Sequence, residues 1–136
     1  MVLACMTLYP DLFAAGVDIV GISNFITFLQ NTAEYRRKNR EGEYGSLQRD
    51  SLFLAGISPI KKVERIKAPL MIIHGRNDPR VPVGEATQMY EAIKSRGGEA
   101  ELLIYDDEGH GLTKLKNRLD AYPKIVSFLD KYVKNK

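Results

Sequence analysis

Apolar and polar residues fall in blocks along this chain. Residues 1–9, MVLACMTLY, are apolar and helix-compatible, and Pro10-Asp11 stops them. Residues 14–22, AAGVDIVGI, read as a short buried strand. The stretch 24–57 is polar and irregular, with helical pieces around 25–31 and 33–40 and a turn at Glu43-Tyr44-Gly45. Ser58-Pro59 has the form of a helix N-cap followed by proline at the first helical position. Residues 68–74, APLMIIH, are a continuous apolar run, the pattern of a strand buried on both faces. Residues 84–95 then set Ala86, Met89, Tyr90 and Ile93 at helical spacing, closed by Gly97-Gly98, and 100–105 read as a third strand. In the last segment Leu115, Leu119, Tyr122, Val126, Leu129 and Val133 recur alternately four and three residues apart. That spacing predicts an amphipathic helix packing its stripe on the sheet, kinked or restarted at Pro123 near Tyr122.

Strands separated by helical crossovers imply parallel pairing in an α/β layered architecture. At 136 residues the chain fits one domain, without internal repeat, low-complexity tract or linker. Hydrophobic residues are 44% and charged residues 27%, a globular mixture. The net charge of +3 is too mild to argue for nucleic acid. The densest basic run, Arg36-Arg37-Lys38 with Arg40, is bracketed by Glu34, Glu41 and Glu43 and reads as a solvated helix face. One cysteine, Cys5, sits among Leu3, Ala4 and Leu8 and reads as a buried, inert thiol. It excludes an intrachain disulfide, gives no metal-type spacing and fits a reducing, cytoplasmic setting. No run approaches the ~18 apolar residues that would span a membrane, and the start carries no basic leader.

In an open parallel sheet, ligands bind beyond the carboxyl ends of the strands. Two polar knots fall at that edge. HGRNDPRVP (74–82) follows the second strand and DEGHGL (107–112) the third. Asp78 and His110 can therefore converge, and a carboxylate beside an imidazole fixes its tautomer and stabilises the imidazolium it becomes. Gly109 and Gly111 suit a loop that turns sharply around the ring. His74, at the strand end, reads as a core or supporting residue. Asp106, Asp107 and Glu108 are rival acids but lie too close to His110 for the usual layout of one strand per group.

The run from Ser58 to Leu112 resembles the carboxyl-terminal part of the catalytic domain of the prolyl oligopeptidase family of serine peptidases. Its acylaminoacyl-peptidase and dipeptidyl-peptidase-like members are the nearest in look. The matching elements are His74-Gly75-Arg76-Asn77-Asp78, Val81-Pro82 and Gly109-His110, with PDLFAAGVDIVGISN and the EYG turn upstream. The resemblance implies the C-terminal portion of an α/β hydrolase fold, three parallel strands flanked by helices, over 1–136. It also implies the triad order Ser, Asp, His, with Asp78 and His110 as acid and base. Phe25, Phe28 and Val81 fall where such enzymes line the substrate side-chain pocket, although core packing explains two phenylalanines at spacing three equally well.

The family's serine sits in a GxSxGGY elbow followed by a helix opening like MVLACMTLYP, so the resemblance places it upstream of Met1. Ser23, Ser46, Ser51, Ser58, Ser95 and Ser127 all lack that setting. The isolated chain is therefore expected to be inactive, with a peptide as the parent enzyme's substrate and no metal or organic cofactor. No nucleic-acid or membrane partner is expected. The strand near Ile19 would lose its neighbour, exposing an edge open to self-association. Two other readings stand beside this one: a fragment of a carboxylesterase- or dienelactone-hydrolase-like enzyme, and a non-catalytic interaction module.

Overall fold

A computed structural model describes residues 1–134. Its elements are α1 (Val2–Leu8), β1 (Gly16–Ile19), α2 (Phe25–Asn31), α3 (Glu34–Tyr44), α4 (Ser51–Ile57), a 3-10 segment (Pro59–Arg65), β2 (Leu70–Gly75), α5 (Gly84–Ser95), β3 (Ala100–Tyr105) and α6 (Leu115–Leu129). A π-type turn, Asp130–Lys134, follows α6. The three strands form one parallel sheet in the order β1-β2-β3, with Gly16 opposite Leu70 and Leu70 opposite Ala100.

The central strand β2 is buried along its whole length, as its unbroken apolar run predicts. Its side chains alternate between two layers. Leu70 and Ile72 pack with Leu3, Met6, Met89 and Ile93 from α1 and α5. Met71 and Ile73 pack with Phe128 of α6 on the opposite face. A third cluster, Phe28, Leu29, Leu54 and Val81, lies where α2 and α4 meet the loop after β2. Among the described residues, no helix is long and apolar enough to cross a membrane.

Several expectations need correction. The first strand is only four residues long and forms the outer strand, with Ile19 44% exposed rather than buried. It ends because Val20 turns to φ +54°, a left-handed conformation that β-branched residues rarely adopt. The stretch 24–57 is more regular than it reads. α3 continues to Tyr44, where Gly45 at φ +123° ends it, and α4 is an additional helix. Pro59 does open a helical segment, but Ser58 does not cap it. The Ser58 hydroxyl instead donates to the Leu54 carbonyl at 2.6 Å and accepts from the Phe25 N–H at 2.9 Å, joining α4 to α2. Cys5 is half-buried and unpaired.

The largest correction concerns α6. Leu115, Leu119, Tyr122, Val126, Leu129 and Val133 are all exposed. The inward face is Asn117, Ala121 and Phe128, with Ile125 and Tyr132 partly buried beside them. The cause lies at the start of the helix. The buried Asn117 amide donates to both Asp107 and Glu108 at 2.8 Å, and this anchor sets the rotation of the helix. Residues four, eight and eleven positions on then follow inward. The helix also runs through Pro123 without a restart. Leu119 and Pro123 both lie on the exposed side, so the Leu119 carbonyl, deprived of its i+4 donor, is beside solvent.

Candidate active site

Asp78 sits in the turn after β2. The Asp78 N–H donates to the Gly75 carbonyl at 3.2 Å and closes the turn. Its Oδ1 accepts from the Arg80 and Val81 N–H groups at 2.7 and 2.9 Å, and its side chain is fully buried. His110 sits in the loop after β3. His110 Nδ1 donates to Asp78 Oδ2 at 2.8 Å, and the imidazole is 33% exposed. The two polar knots thus converge as expected, at the carboxyl edge of adjacent strands. The fixed Nδ1–H leaves Nε2, across the ring, free to act as base.

Three carboxylates once set aside as rivals build the loop that presents His110. Glu108 is buried and accepts from the Thr113 hydroxyl at 2.7 Å, the Lys114 N–H at 2.8 Å and the Asn117 amide at 2.8 Å. Burial pushes the Glu108 carboxyl up, but these bonds from Asn117, Lys114 and Thr113 outweigh it and bring it down to about 2. Asp107 is held below the usual carboxylate range by Lys116, Lys114 and Asn117. Asp106 pairs with Arg76 on the surface. Of the two glycines beside the base, only Gly111 needs its freedom, at φ +112°.

Gly75, the glycine of the HGxxD pattern, has a different reason to be glycine. The His110 loop passes directly over it, and the Asn77 N–H donates to the Glu108 carbonyl at 3.0 Å. A Cβ on residue 75 would stand 2.1 Å from the Gly109 carbonyl oxygen and 2.6 Å from that of Glu108. Backbone cannot yield as a side-chain tip can. Gly75→Ala is expected to destabilise the fold by about 2–3 kcal/mol and to break the Asp78–His110 contact. Urea unfolding and His110 imidazole NMR check the two effects, and a loss under 1 kcal/mol with the contact kept would count against this packing.

A cavity of about 660 Å³ opens beside His110, with Phe25, Phe28, Val81, Tyr44 and Asp18 among its walls. Phe25, Phe28 and Val81 border this cavity in different ways. Phe28 is fully buried and backs the wall from the core. Phe25, half-buried, meets Phe28 edge-on at 6.5 Å and Tyr44 at 5.1 Å. Val81 belongs to the same cluster and joins the pocket to the Asp78 turn.

Two residues escaped the sequence reading. Glu85 is buried at the start of α5 and accepts from the Ser23 and Asn24 N–H groups at 3.1 and 2.8 Å and from the Thr27 hydroxyl at 2.5 Å. It ties the loop carrying Phe25 to the Asp78 side of the cavity. Asp18, the third residue of β1, is buried and, among the described residues, has no cationic side-chain partner. Burial raises its carboxyl from 3.8 to about 6, against the opposing pull of the N-terminal ammonium and the Gly21 N–H. A lone acid in an apolar strand, at the edge where ligands bind, was the available signal.

The folded state holds the Asp18 proton more tightly than the unfolded chain does. Stability from this group is therefore fully present below pH 3.8 and is lost as pH rises through about 6. Asp18→Asn is expected to gain about 2–3 kcal/mol at pH 8 and to flatten the stability profile between pH 4 and 6. Urea midpoints across that range test it, and an unchanged profile would refute it.

The prolyl oligopeptidase family model matches residues 1–136. Dipeptidyl peptidase family member 6 from Caenorhabditis elegans is 36% identical over 133 residues, covering 93% of this chain and 18% of that protein. The acylaminoacyl peptidase of Pyrococcus horikoshii superposes with a TM-score of 0.83 at 24% identity, over 95% of this chain and 22% of the other. A puromycin-hydrolyzing peptidase of Mycobacterium tuberculosis gives a TM-score of 0.88 at 24% identity, over 96% and 20%. The chain thus spans about a fifth of the length of these proteins. Its three-stranded parallel sheet and flanking helices match the α/β hydrolase fold of these neighbours, and the chain belongs to the prolyl oligopeptidase family of serine peptidases.

Proposed function

We propose that residues 1–136 are the C-terminal part of a peptidase catalytic domain, supplying acid and base to a serine carried on a segment outside this sequence. The observation that supports this most directly is the Asp78–His110 pair, 2.8 Å apart beside an apolar cavity. His110 Nε2 takes the proton of the serine hydroxyl as it attacks the peptide carbonyl, then returns it to the leaving amine. Asp78 holds the tautomer and stabilises the imidazolium. Phe25 and Val81, backed by Phe28, receive an apolar substrate side chain. The oxyanion donor next to the nucleophile comes with that same segment, so the isolated chain is inactive.

A fluorophosphonate, which labels an activated serine, separates the parts of this reading. The isolated 136-residue chain is expected to stay unlabelled. The same chain fused behind a family segment bearing the GxSxGGY elbow is expected to label at that serine. Labelling within the isolated chain would overturn the assignment, as would a folded fusion that never labels. A fusion that cleaves simple esters but no peptide would point to an esterase instead. We also propose that the free side of β1 pairs with a second copy; a strictly monomeric species by sedimentation at micromolar concentrations would exclude this.

A further inference from the structure

Asp78 faces two imidazoles. His110 uses it from the surface, while His74, at the end of β2, approaches the same oxygen from the core. His74 is almost fully buried. Its Nε2 lies 2.9 Å from the Val81 carbonyl oxygen and 3.4 Å from Asp78 Oδ2. Its Nδ1 is buried and, among the described residues, has no hydrogen-bond partner. A carbonyl and a carboxylate can only accept, so the hydrogen must sit on Nε2. Placing it on Nδ1 would bury an unpaired donor and leave two acceptors facing a lone pair.

We propose that His74 is a positioning residue that fixes the acid's orientation toward His110. The claim rests on the reading of Asp78 as the acid. The contacts close around the carboxylate. Val81 donates its N–H to Asp78 Oδ1 and accepts at its carbonyl from His74, whose Nε2 also lies 3.4 Å from Asp78 Oδ2. The backbone N–H groups hold one carboxylate oxygen, and His74 steers the other. Without His74, the carboxylate can rotate about its last bond, and Oδ2 leaves the line of His110 Nδ1. Neither a merely apolar filler nor a side chain that stops at the Nδ1 position supplies that donor.

Long-range ¹H–¹⁵N correlation NMR on the 136-residue chain reads both imidazoles directly. In the wild-type chain His74 is expected to show a protonated Nε2 and a pyridine-type Nδ1; the reverse pattern overturns the proposal. His110 is expected to show a single Nδ1–H tautomer. His74→Gln carries an amide N–H to the place of Nε2 and is expected to keep that tautomer. His74→Met fills the space without a donor and is expected to give a mixture at His110, with the fold checked by circular dichroism. A folded methionine variant with the wild-type pattern at His110 overturns the proposal. Should methionine prevent folding, His74→Asn decides, because its amide stops short of Asp78. A mixture supports the proposal and a single tautomer refutes it. None of these readouts requires turnover, so failure of the peptidase reading and failure of this one are distinct results.

Discussion

Asp78→Asn is expected to lower kcat about 10⁴-fold, or roughly 5 kcal/mol, in a hydrolase domain completed with a serine-bearing segment, with KM little changed. The size follows from hydrogen-bond polarity rather than lost packing. The asparagine carbonyl oxygen can still accept from the Arg80 and Val81 N–H groups, so the turn is kept. Its amide NH₂ then faces His110 Nδ1, which must become an acceptor. The imidazole hydrogen moves to Nε2, the nitrogen that has to receive the serine proton. His110→Ala should cost about as much, and the double variant little more, because the two groups act as one unit. A loss below tenfold with the fold intact would remove Asp78 from the role of acid.

Glu85→Ala is expected to destabilise the chain by about 3–5 kcal/mol. The carboxylate serves the Ser23 and Asn24 N–H groups and the Thr27 hydroxyl from a buried position. Alanine leaves these buried donors unmatched. Two of them belong to the start of α2, where negative charge also complements the helix dipole. Glu85→Gln keeps one acceptor oxygen but turns an NH₂ toward the same N–H groups, so it should fall between alanine and wild type. Urea midpoints at constant m-value measure the series. An alanine variant within 1 kcal/mol of wild type would mean that water or a shifted loop replaces the carboxylate.

The sheet was legible because a continuous apolar run such as residues 68–74 reads as a buried strand at that length, and α5 follows from spacing and its Gly97-Gly98 stop. The meeting of Asp78 and His110 was legible because parallel strands deliver their following loops to one edge. Rotation of α6 was not. Six well-spaced apolar residues outweigh one asparagine in any periodicity count, yet the asparagine is bound to two carboxylates and decides the orientation. Glu85 was hidden for a similar reason. On a helix it reads as a solvated residue, and its partners lie about sixty positions earlier in the chain. Sequence periodicity records how much apolar surface an element has. It does not record which buried polar group will claim its partner first.

The two locks of this site also differ in what they ask of an unfolded chain. The Asp78–His110 contact joins residues 32 apart, and the Ser23–Glu85 contact joins residues 62 apart. Loop-closure entropy rises with the logarithm of length, so the longer closure costs about 0.6 kcal/mol more. The shorter loop contains α5 and β3, and its ends are drawn together when β3 pairs with β2 just before Asp78. The Asp78–His110 contact is therefore stored in a local stretch of chain, whereas the cavity wall carried by the Phe25 loop depends on distant segments meeting.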